Sequence, residues 1–157
     1  MDIRVQQEVF DLGKELSTLS SAQAGAVVSF LGTVREISAG LDILALEIEH
    51  YPGMTERELT RLAEVAMAHF ALIDILIIHR YGRLMPEDPI VLVAVCSAHR
   101  ADAFAACRYL IDTLKTTAPF WKREISALGA RWVTDCPGCR AGIHDDPVHR
   151  VHMDTTS

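Results

Sequence analysis

The run PIVLVAVCSA, residues 89–98, constrains this chain more than any other stretch. It is apolar at odd and even positions alike, so as a strand it needs cover on both faces of its sheet. It is also far too short to cross a membrane. Whatever surrounds it must supply neighbouring strands on both edges and packed layers above and below.

The flanking segments can do this. GAVVSFLGTVRE (25–36) reads as a strand rich in β-branched residues. ILALEIEHY (43–51) alternates, placing Leu44, Leu46 and Ile48 on one face and Glu47 and Glu49 on the other. Gly40 supplies the turn between these strands. Pro52-Gly53 ends the second, and Thr55 with Glu58 forms a capping box that opens a helix over 56–70. That helix carries Leu59, Leu62, Ala63, Ala66 and Phe70 at helical spacing. LIDILIIHRYG (72–82) is a further strand, separated from the 89–98 run by the turn signal MPEDP. Ser97 caps a second helix over 98–116, with Phe104, Cys107, Ile111 and Leu114 on one face and Pro119 ending it. FWKREISA and ARWVT close the pattern as two strands around Gly129. The order β-β-α-β-β-α-β-β predicts an α+β fold, two helices packed on a mixed or largely antiparallel sheet. Residues 1–134 are expected to form one domain and 135–157 a C-terminal tail.

The chain has 157 residues, half of them apolar, and a formal charge of −6. An acidic balance argues against a general nucleic-acid binder. The first residues lack the charged-then-apolar layout of a signal peptide, and no apolar run reaches spanning length, so a cytoplasmic protein is expected. Cys96 and Cys107 sit in apolar segments and read as core residues. Cys136 and Cys139 form CPGC ahead of His144, His149 and His152. Those two thiolates plus two imidazoles could hold zinc tetrahedrally, while a plain tail is the simpler reading.

Cations stand where stability alone would not put them. His99 and Arg100 occupy the first turn of the second helix, where the macrodipole favours acids. Free N–H groups beside a guanidinium suit an anion there. Arg35 lies at a strand end. Lys115 and Lys122 bracket the exposed-looking pair Phe120-Trp121. Each of these has a plain surface reading, and the aromatic pair could simply start a strand. Together they describe a basic pocket for a small anion, such as a phosphate ester, on an acidic protein. Arg100 and Lys115 stand roughly 22 Å apart along one helix, so either the two ends serve different purposes or two copies meet.

The stretches GAVVSFLGTVR, LEIEHYPGMTE, IIHRYGRLMPED, VLVAVCSAHRADAF and LKTTAPFWKRE, taken in order, resemble the large, catalytic subunit of molybdopterin synthase over about residues 22–134. The resemblance implies an α/β-hammerhead fold and a homodimer within a heterotetramer, with a small ubiquitin-like sulfur carrier at each outer end. It implies sulfurtransferase activity: two sulfurs pass from the thiocarboxylated Gly-Gly terminus of the carrier to cyclic pyranopterin monophosphate, giving the molybdopterin dithiolene of molybdenum cofactor biosynthesis. It assigns catalysis to Lys115 and Lys122 and substrate binding to Arg35, His99 and Arg100, with no cofactor required. Two features depart from the family pattern. Thr117 stands where many relatives have a basic residue, and the tail from Cys136 onward is unlike the expected ending. A non-catalytic module that docks a ubiquitin-like partner or zinc is the alternative, and the intact lysines argue against it.

Overall fold

The structure, a computed structural model, describes residues 1–19 and 21–133. Its first sheet has the order β1-β5-β7-β2. Here β1 spans Asp2–Gln6, β2 Ala26–Thr33, β5 Leu72–Arg80 and β7 Pro89–Ser97. The β7 strand pairs antiparallel with β2 on one edge and with β5 on the other. Both of its faces are covered, as its composition demands. Val91, Val93 and Val95 pack under helices α2 (Met54–His69) and α3 (Arg100–Thr117). Leu92, Ala94 and Cys96 meet Phe10, Leu19, Leu76 and Ile78 on the opposite side, beside the short helix α1 (Leu12–Ser17).

The second sheet has five strands. β4 (Leu41–His50) pairs with β8 (Phe120–Ser126) on one edge and with β3 (Ile37–Ser38) and β6 (Gly82–Leu84) on the other, and β8 also pairs with β9 (Gly129–Trp132). Its own core is Val34, Ile43, Leu46, Ile48 and Leu84. Ile90 and Phe120 pack into this cluster and into the helix-side core of the first sheet.

The α+β class and the predicted order are present, with four elements added. β1, α1, β3 and β6 are too short to show a period, and the parallel pairing of β1 with β5 joins residues about 70 positions apart. Three helices therefore replace the expected two, and two sheets replace one.

Local details differ where a competing contact wins. Leu44 is half exposed instead of sharing a face with Leu46, because a β-bulge falls between Ile43 and Ala45 and shifts the alternation. The helix cap lies two residues earlier than the Thr55 and Glu58 reading. Gly53, at φ 80°, is the N-cap, and its N–H donates to the Glu56 carboxylate at 2.6 Å. Thr55 is fully buried and bonded to both the carbonyl and the N–H of Tyr51, while Glu58 pairs with Arg61. Ser97 is not the N-cap of α3, a position held by His99. The Ser97 hydroxyl instead donates to the Ala71 carbonyl at 2.7 Å and accepts the His99 N–H at 3.1 Å. The buried stripe of α3 is Ala103, Ala106, Cys107, Leu110, Ile111 and Leu114, and Phe104 falls outside it at 65% exposure.

This stripe makes a paired prediction. Leu110→Ala should lower stability by about 2–5 kcal/mol through a core cavity. Phe104→Ser should change it by less than about 0.5 kcal/mol. Urea unfolding of both variants reads the difference, and an equal loss in the two would contradict the assigned face.

Candidate functional site

The site is built where α3 hands over to β8. Ala118 is extended ahead of Pro119, which ends the helix, and the Phe120 N–H donates back to the Ala118 carbonyl at 2.8 Å. From there the period of two places Phe120, Lys122 and Glu124 on one face of β8 and Trp121 and Arg123 on the other. Trp121 is half exposed, whereas Phe120 turns inward and stacks on His79, with centroids 3.7 Å apart and planes at 15°. The aromatic pair does start a strand, and one ring is an anchor between the two sheets.

His79 is fully buried on the helix side of the first sheet. Its Nδ1 lies 2.8 Å from the Arg80 carbonyl, which accepts and so assigns the proton to that nitrogen. Its Nε2 is buried with no hydrogen-bond partner among the described residues. Burial pushes the ring's pKa down to about 3, helped by the charge of Lys122 and by His50, while the bond to the Arg80 carbonyl pulls the other way. His50 lies opposite Phe120 across the β4–β8 ladder, its ring 4.4 Å from that of Tyr81, and its Nδ1 is likewise buried without a partner.

Lys115 is exposed in the last turn of α3, its Nζ 5.8 Å from the centroid of Phe30 on β2. Arg35 is exposed just past the end of β2. Its charge reaches Glu124, which is 8% exposed and takes a 2.6 Å bond from Arg131. Burial would raise the Glu124 carboxyl, but the Ser38 hydroxyl, Arg131 and Arg35 outweigh it and hold the group below the usual range. Lys115, Lys122 and Arg35 thus gather around the α3–β8 junction and the end of β2. Sequence reading found those cations and missed His79, His50 and Glu124. Only their position inside IIHRYG, IEHYPG and WKRE was available as a signal.

His99 and Arg100 stand at the other end of α3. With Gly25, Ala98 and Ala101 they line an open recess of about 410 Å³. Gly25 is required by close approach there. Its N–H donates to the Ser97 carbonyl at 3.0 Å, and a Cβ would lie 2.2 Å from the Ala98 carbonyl oxygen. The length of α3 keeps this recess roughly 22 Å from Lys115 within one chain.

Burial raises the Cys107 thiol to about 11 and, together with Asp74, raises Cys96. Among the described residues no group of three or more His, Cys, Asp or Glu side chains could hold a metal ion. Cys136, Cys139, His144, His149 and His152, named above for zinc, lie outside the described residues. No described helix is long and apolar enough to cross a membrane.

Fold and site together define an α+β protein that sets lysines and arginine around one helix end and a His-Arg recess at the other. A family model described as MoaE protein matches residues 5–117. The molybdopterin synthase catalytic subunit of Ralstonia nicotianae is 56% identical over 133 residues, covering 83% of this chain and 76% of the relative. Among solved structures, the molybdopterin biosynthesis MoaE protein from Burkholderia ambifaria superposes with a TM-score of 0.75 at 44% identity, over 89% of this chain and 96% of that one. The molybdopterin synthase structure from Staphylococcus aureus gives a TM-score of 0.80 at 33% identity, over 85% and 97%. The chain belongs to the MoaE family.

The buried neutral His79 generates a pH prediction. Between about pH 6.5 and pH 3 an unfolded histidine binds a proton that folded His79 does not, so stability falls as pH falls through that window. His79→Phe should flatten the slope by up to about 1.4 kcal/mol per pH unit. Urea midpoints across the window measure it, and parallel curves would contradict the buried neutral ring.

Proposed function

We propose that this chain is the catalytic subunit of a molybdopterin synthase, a sulfurtransferase. It moves two sulfurs from the thiocarboxylated C-terminus of a small ubiquitin-like carrier to cyclic pyranopterin monophosphate. The observation that carries this reading is the pair Lys115 and Lys122, intact in a MoaE-family chain and set on either side of the rigid Ala118–Phe120 junction. The curated relatives are named catalytic subunits, which supports a second chain as partner.

The chemistry needs positive charge where a cyclic phosphate is bound and opened. Lys115, exposed at a helix end, holds the incoming thiocarboxylate and moves protons during its attack. Lys122, half-buried on the inner face of β8, stabilises the opened phosphate or the departing oxygen. Arg35, His99 and Arg100 hold the substrate's anionic group. Sulfur arrives on the partner, so no thiol of this chain acts as nucleophile and no cofactor is required. Residues 1–134 act as the catalytic domain, working in the cytoplasm, with 135–157 an appended tail.

One chain cannot bring Arg100 and Lys115 to one small substrate across roughly 22 Å. The site is therefore shared in a homodimer, with His99 and Arg100 from one subunit facing Arg35, Lys115 and Lys122 of the other. A carrier on each catalytic chain completes a heterotetramer.

Lys115→Ala should lower molybdopterin formation by at least about 100-fold with thermal unfolding unchanged, because the side chain is exposed. Near-normal turnover by the folded variant would remove Lys115 from catalysis. Mixing Arg100→Ala with Lys115→Ala chains tests the shared site. Each mixed dimer then holds one site with both defects and one with neither, so activity should return on subunit exchange. A verified mixed dimer that stays inactive would exclude the sharing.

A further inference from the structure

At the end of β2 the sheet ladder is handed from a strand to a turn. Through Gly32 the strand pairs with β7, and a register shift then sets Thr33 opposite Pro89. Pro89 has no N–H to give, and its carbonyl accepts from Arg80 Nη1 at 3.0 Å. The turn Met85–Asp88 takes over. The Val34 N–H donates to the Asp88 carbonyl at 3.0 Å, and the Glu87 N–H donates to the Val34 carbonyl at 2.9 Å. The turn is itself closed twice, by the Asp88 N–H on the Met85 carbonyl at 3.0 Å and by the Met85 N–H on the Asp88 carboxylate at 2.9 Å. Arg80 Nη1 lies 4.0 Å from the same carboxylate oxygen. Glu87 follows Pro86 and stands at φ 71°, where a turn of this kind normally takes glycine. Backbone strain of that sort, held in place by surrounding bonds, gathers at functional sites.

We infer that this turn is the mount for Arg35, with Asp88 as the positioning residue that closes it. The role rests on the sulfur-transfer function proposed above, in which Arg35 holds the substrate's anionic group. Arg35 follows Val34 directly and is itself exposed. A long exposed side chain keeps most of its rotamer freedom, so its aim depends on where its backbone is held. Val34 is held from every side. Both of its backbone groups are bonded to the turn, and its side chain, 5% exposed, packs in the core of the second sheet with Leu84. The turn therefore fixes the residue ahead of the guanidinium and leaves the guanidinium itself to the substrate. That point lies within electrostatic reach of Glu124 on β8, two residues along the strand from Lys122.

The experiment asks whether Asp88 acts through Arg35. Asp88→Ala removes the carboxylate that closes the turn, whereas Asp88→Asn keeps an acceptor there for the Met85 N–H. Each is made in wild type and in Arg35→Ala, and molybdopterin formation is measured from the cyclic pterin phosphate and thiocarboxylated carrier. Asp88→Ala should raise KM about 10-fold, the scale of one lost charge-assisted contact, with kcat within about 2-fold. Asp88→Asn should bring KM back. In the Arg35→Ala background, Asp88→Ala should change KM by less than about 2-fold, because the effect runs through the missing guanidinium. An unmoved KM in folded Asp88→Ala, or the same rise in both backgrounds, would overturn the role. Should Asp88→Ala not fold, amide hydrogen exchange of the wild-type protein decides the matter. Slow exchange at Val34 and Glu87 supports the mount, and exchange at the rate of open loops overturns it. An Arg35→Ala chain with wild-type KM would remove Arg35 from the substrate site, and the mount's role with it. Wild-type protein that makes no product would instead refute the sulfur-transfer reading, and the two failures stay distinguishable.

Discussion

The stacking of Phe120 on His79 ties together two sheets that, among the described residues, share no ladder of hydrogen bonds. The first sheet and its helices could bury their apolar faces without the second, and β4 with β8 could close a small core around Ile48 and Leu84. Phe120 belongs to both cores, and with Ile90 it turns two layers into one body. A ring of this size in a mixed aromatic contact contributes more than its area, about 0.5–1.5 kcal/mol beyond burial. Because Lys122 and Glu124 follow at the strand period, the same contact that joins the sheets also sets the direction of the site's charged side chains.

The second organising feature is the separation of charge along α3. Two groups of cations stand at the two ends of α3, one at the α3–β8 junction and one in the recess at His99 and Arg100. The first is buttressed by buried groups, Glu124 with its three cationic and hydroxyl partners and His79 with its neutral ring. The second is held open by backbone contact, Gly25 lying against the Ala98 carbonyl. Helix length keeps the two apart within one chain.

Much of this was legible in the chain itself. The β7 strand announced burial on both faces, and the stripe of α3 followed from spacing once Ala103 and Ala106 joined Cys107, Ile111 and Leu114. Phe104 was misread because it lies three residues from Cys107 yet at the margin of the stripe. Leu44 was misread because a bulge changes the parity of a strand with no mark in its own residues. Thr55 looked like a cap, yet Gly53 could adopt the positive φ that starts the helix earlier, and the Thr55 hydroxyl had two backbone groups of Tyr51 to satisfy. At the site, Lys115, Lys122 and Arg35 stood out as charges in odd places. His79 did not, because an imidazole inside an apolar strand takes its meaning from Phe120, which is brought to it from another sheet.

The raised thiols of Cys96 and Cys107 have a consequence for a protein that handles activated sulfur. A thiocarboxylate is a sulfur nucleophile, and a nearby thiolate would compete with it for the same electrophilic carbon. At about 11 the Cys107 thiol is almost wholly protonated at neutral pH, and its Sγ lies against the Val93 carbonyl, 3.9 Å away inside the core. Cys96 is sealed in the opposite face of the same sheet. Among the described residues, then, the chain carries its own sulfur in a chemically silent form. Under the proposed transfer, no thiol among the described residues competes with the sulfur that the carrier brings.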